Sequence, residues 1–148
     1  MIDKLLAQPF PQKCLADVNG YGGPEHHVRV LRVSRDFWDD EDGQAWREAD
    51  ADLRAYLDAL IATLTTRWGR PFVIDLWPYL RAGCEGEAVP EPLNSLSQHA
   101  VGMHAWPLRD RGRWLALTIG QADKELPLEL LAAVGQVAAL DLSAVSRS

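Results

Sequence analysis

The sequence predicts an α+β fold: a single domain with an antiparallel or mixed sheet of four to five strands, and one long helix and a C-terminal helix packed mainly on one face. Three observations carry this expectation. Apolar residues recur in steps of three and four from Trp46 to Trp68, the period of a helix with one buried stripe. Short apolar runs lie between glycine and proline breakers at residues 28–33 and 72–77, as strands do. Two further runs, 101–108 and 113–120, flank Asp110-Arg111-Gly112, which suits a hairpin loop with Gly112 at positive φ.

Taken in order, residues 1–27 carry Pro9, Pro11, Gly20, Gly22, Gly23 and Pro24, and read as an irregular N-terminal segment with room for a short helix. Residues 28–33 (Val-Arg-Val-Leu-Arg-Val) have strand composition. The long helix occupies residues 42–68. Its apolar stripe is Trp46, Ala49, Leu53, Leu57, Leu60, Leu64 and Trp68, and a second stripe, Arg47, Asp50, Arg54 and Asp58, places opposite charges within pairing distance. Acids at Asp39 to Asp42 and arginines at Arg67 and Arg70 suit the helix dipole, while Gly69 and Pro71 end the helix. Residues 72–77 (Phe-Val-Ile-Asp-Leu-Trp) read as a central strand buried on both faces. Residues 78–92 are loop-like, and 93–98 form a single helical turn. In the hairpin, the three-residue loop pairs Ala105 with Leu117 and Met103 with Ile119. That register sets His104, Trp106 and Leu108 beside Trp114, Ala116 and Thr118 on the opposite face. Residues 127–140 read as a helix with Pro127 in its first turn, and 141–148 as a flexible tail.

Composition narrows the function classes. The 148 residues carry 21 acids against 15 lysines and arginines, a net charge of −6, which makes nucleic acid a poor partner. No run approaches the length of a membrane span, and the N-terminus lacks the apolar core of a secretory leader, so a cytoplasmic setting is expected. Cys14 and Cys84 sit in no metal or redox spacing; free thiols are the default, with one bridge as the alternative.

The acidic stretch from Asp36 to Gly43 invites comparison with a calcium loop. It fails at both ends, with Trp38 at the first ligand position and Ala49 at the last. His26, His27, His99 and His104 form no zinc spacing, so no metal and no cofactor are expected. No nucleophile motif or phosphate-cradling loop is present, and no catalytic residue is assigned. The arginines around the hairpin tip, Arg109, Arg111 and Arg113, have the character of a solvated loop.

Two surfaces remain. Phe37, Trp38, Asp39, Asp40, Glu41 and Asp42 combine aromatic anchors with carboxylates, and would dock a protein partner of basic character. His104, Trp106, Trp114, Thr118 and Asp123, with Glu125 nearby, would line a pocket or an interface on the sheet. The expectation is a non-enzymatic, acidic protein-binding module of bacterial type, with the character of an immunity protein or secretion chaperone. A small ligand binder or enzyme using the His104 face is the alternative. The uncharged stretch between Leu128 and Leu140 is a further candidate, for contact with a second copy of the chain.

Overall fold

A computed structural model describes residues 2–140, Leu142 and the backbone of Ser146–Arg147. Its frame is one antiparallel sheet. In chain order the elements are α1 (Ile2–Ala7), β1 (Leu15–Asp17), β2 (Gly20–Gly23), β3 (His26–Val33), α2 (Gln44–Trp68) and β4 (Phe72–Asp75). There follow α3 (Trp77–Cys84), α4 (Leu93–Ser97), β5 (Gly102–Leu108), β6 (Arg113–Gly120), β7 (Glu129–Gln136) and the two-residue β8 (Ser146–Arg147). Seven strands lie in the order β1-β2-β3-β7-β6-β5-β4, and β8 adds beyond β4. The α+β class and the long helix are as expected, but the sheet is wider than four to five strands.

Helix α2 forms where its stripe requires. Leu53, Leu57 and Leu64 are buried, with Trp46, Ala49, Leu60 and Trp68 packed at the margin of the same cluster. Asp40 caps its start: one carboxylate oxygen accepts from Ala45 N and the other from Trp46 N, both at 3.0 Å. Gly43, at φ +74°, makes the turn into the helix that a side chain would resist. At the far end Gly69 N donates to Thr65 O at 2.9 Å, and Trp106 Nε1 donates to Gly69 O at 2.8 Å. Of the four charges in the second stripe, Asp50 and Arg54 pair at 3.0 Å.

Both faces of the sheet are covered. Along β6, Leu115 and Leu117 pack with α1 and α2, whereas Trp114 and Ala116 pack with residues of α4 and the α3 approach. Along β7, Leu130, Ala132 and Val134 face the first cluster, and Leu131 and Ala133 the second. The helices therefore sit on two faces, not mainly on one.

The expected C-terminal helix is instead β7, paired with β3 on one side and β6 on the other. Its lack of charge reflects burial from both faces at the sheet centre, so it presents no helical face to a second copy. A short uncharged run fits a buried helix and a doubly buried strand equally well, and the strand won. The reverse holds for residues 72–77: β4 stops at Asp75, lies beside the end of the sheet, and leaves Val73 exposed while burying Ile74. Trp77 already belongs to α3, a helix the proline and glycine content of residues 78–92 concealed.

The hairpin register is one residue away from expectation. Ala105 pairs with Ala116 and Trp106 with Leu115, across a four-residue connection, Arg109 to Gly112, with Gly112 at φ +68°. Hydrophobic pattern fixes register only where one face is wet. Here both faces are buried, so a slip exchanged one apolar set for another. The N-terminal segment also has more order than expected: α1 buries Leu5 and Leu6, and β1 and β2 form a meander with β3. Of the tail at 141–148, all but Leu142 and the backbone of Ser146–Arg147 lies outside the described residues.

Candidate functional site

The approach to α2 sorts its six expected docking residues into two groups. Phe37 is buried in the core under α2, anchored by its N–H to Glu125 O at 2.9 Å. Asp40 is occupied as the helix cap. Around them Trp38 stands 69% exposed, Asp39 pairs with Arg35, and Glu41 and Asp42 are exposed, Asp42 accepting from Gln44 N at 3.1 Å. The buried pair thus holds the loop in place, and Trp38, Asp39, Glu41 and Asp42 form its outer surface.

That surface continues along the helix. Glu48, Asp52 and Tyr56, spaced by four, lie on one exposed line of α2 and form one wall of a groove of about 560 Å³. The other wall is the end of β3 and the chain after it, Leu31 to Arg35. Arg32 crosses the groove, its guanidinium 3.6 Å above the Tyr56 ring. Arg35, which pairs with Asp39, joins groove and loop into one continuous surface. Sequence reasoning missed Glu48, Asp52 and Tyr56, although the four-residue spacing was there to find.

The His104 set is brought together only in part: His104 and Thr118 line one hollow, and Trp106, Trp114 and Asp123 lie apart from it. Trp106 and Trp114 lie on opposite faces: Trp106 is buried beneath α2 against Trp68, at 6.1 Å between ring centres, and Trp114 is buried in the second cluster. Thr118 donates its hydroxyl to Gly102 O. Asp123 is exposed in the turn after β6, where its carboxylate accepts from Lys124 N at 2.6 Å. His104 lines an open hollow of about 240 Å³ with Arg54, Leu57, Val73 and Met103. Burial holds its imidazole below the ordinary value, and Asp58 opposes that shift.

The remaining candidates are surface or structural features. Arg113 donates to Leu6 O and Gln8 O at 2.8 and 2.6 Å, fastening the N-terminal segment. Cys14 and Cys84 are free, exposed thiols. Among the described residues, no group of three or more metal-ligating side chains converges, and no helix is long and apolar enough to cross a membrane. Comparison with protein-family models, with curated proteins and with solved structures finds no match to this chain.

Proposed function

We propose that the chain is a non-enzymatic protein-binding module whose acidic surface, at the approach to α2 and along its exposed line, takes a basic protein partner. One observation carries this reading. Residues 36–58 hold nine carboxylates and two arginines, a net of −7, against −6 for the whole chain. The negative charge of the protein is therefore concentrated on one segment, while the rest nearly balances. Concentrated charge steers and orients a partner of opposite sign, and exposed Trp38 and Tyr56 supply the aromatic contacts that give such encounters lifetime. A module that masks a basic partner, as an immunity protein or secretion chaperone does, would have this character, and a cytoplasmic setting belongs to the same reading.

The test is affinity capture from the native cell with wild-type protein and with a D39N/E41Q/D42N variant. Asp40 is left intact because it caps the helix. A basic protein recovered with wild type and lost with the variant supports the reading; identical recovery from both removes it.

A further inference from the structure

The outer edge of β3 is open where the acidic groove runs. β2 pairs with β3 only from His26 to Arg29, and Val30 N finds Asn19 O at 2.8 Å as the last bond on that side. Beyond it no strand lies against the outer edge among the described residues. The inner edge, in contrast, stays bonded: Arg32 and Val33 pair with β7, Ser34 N donates to Leu128 O, and Phe37 N donates to Glu125 O, both at 2.9 Å. A bulge interrupts the β3–β7 ladder between Val30 and Arg32. Beyond it residues 32–33 stay bonded on the inner side while meeting no strand on the outer side among the described residues; the Arg35 and Asp36 carbonyls are taken by Ser34 Oγ and Arg35 Nε. Val33 is 61% exposed there. Glu48 and Asp52 stand across the groove.

We propose that this edge takes an extended, lysine- or arginine-rich segment of the partner protein as an added strand. The inference rests on the docking reading above and specifies how its partner binds. Main-chain hydrogen bonds to an open edge supply affinity without regard to sequence, and alternate side chains of the added strand supply choice. One set of those side chains would reach the α2 wall, where Glu48 and Asp52 select positive charge. Charge complementarity commits the occupant: Arg35 is paired with Asp39, so the groove keeps Glu48 and Asp52, neither in an ion pair among the described residues, against the single charge of Arg32, and its balance is negative.

Fluorescence anisotropy with an eight-residue labelled peptide of alternating lysine and valine tests this. Its comparison peptide has the same sequence and charge, but is N-methylated at two adjacent central residues, which removes a main-chain donor from each edge. The full chain should bind the plain peptide saturably and the methylated peptide at least about ten-fold more weakly, and E48Q/D52N should weaken the plain peptide by a similar factor. Equal affinity for both peptides, with the carboxylate dependence kept, overturns strand addition and leaves acidic docking standing. No binding of either peptide overturns strand addition, and the capture experiment then decides the docking reading separately. Unchanged affinity in E48Q/D52N also overturns the proposal.

Discussion

Gly135→Ala separates the central strand from a C-terminal helix by the sign of its effect. In a helix, alanine for glycine stabilises by about 1 kcal/mol. In β7, Gly135 lies opposite Trp114, and a Cβ placed there would sit 2.6 Å from two ring carbons of that indole and 2.7 Å from its nitrogen. Trp114 is fully buried between the sheet and the second cluster, so the ring cannot swing into solvent. Overpacking of this kind costs about 1–3 kcal/mol, and the entropy that alanine saves in the unfolded chain offsets about 0.5–1 kcal/mol of it. Taking the middle of both ranges, the net loss is about 1 kcal/mol, which for a chain of this length lowers Tm by roughly 2–4 °C. Thermal unfolding followed by circular dichroism measures it. A Tm equal to or above that of the wild type would refute the placement of Gly135 against Trp114.

Other substitutions test separate parts of the account. Asp40→Ala removes the acceptor for two helix N–H groups and should cost about 1–2 kcal/mol in urea unfolding, whereas Asp39→Asn, in an exposed ion pair, should change stability by less than about 1 kcal/mol. Equal losses would contradict the division of the acidic loop into cap and surface. Trp106→Phe keeps a ring in the core but removes the donor to Gly69 O, a loss of about 0.5–1.5 kcal/mol that should appear as a lower urea midpoint. His26, His27 and His104 are all held below the ordinary imidazole value of 6.5, chiefly by burial. The unfolded chain therefore binds these protons more readily, so stability is complete above about pH 6.5 and falls as pH drops through that value toward the lowered folded values. Urea midpoints at pH 7.5 and 5.5 check the sign. His27→Gln should flatten part of the slope, because His27 Nε2 meets Leu5 O at 2.8 Å while its other ring nitrogen is buried without a partner.

Helix α2 was legible because its signals are local: a three-four apolar period, acids before it and a glycine-proline stop after it, all within one stretch of chain. The strand at residues 28–33 was legible for the same reason, whereas the sheet of seven strands exceeds the four to five expected. What escaped depends on tertiary context. β7 resembles a helix until it is known to lie between β3 and β6 with both faces covered. The β5–β6 register could not be read from polarity, because Trp106 and Trp114 are both apolar and each has a core to enter. Covering of the second face by α3 and α4 then removed the expected aromatic patch. At the candidate site, the charge excess near Asp39 was plain in the sequence, but the burial of Phe37 and the capping role of Asp40 were not. The groove needed β3 and α2 side by side, residues 31–35 against 45–56, which no local pattern reports.

The most direct measurement of the docking claim is an amide-shift titration of isotope-labelled protein with the lysine-valine peptide. Shifts are expected at residues 31–36, at Trp38 to Asp42, and at Glu48, Asp52 and Tyr56, with the amides around His104 and Val73 unmoved. Shifts centred on the His104 hollow, or none at any of these positions, would contradict the docking claim.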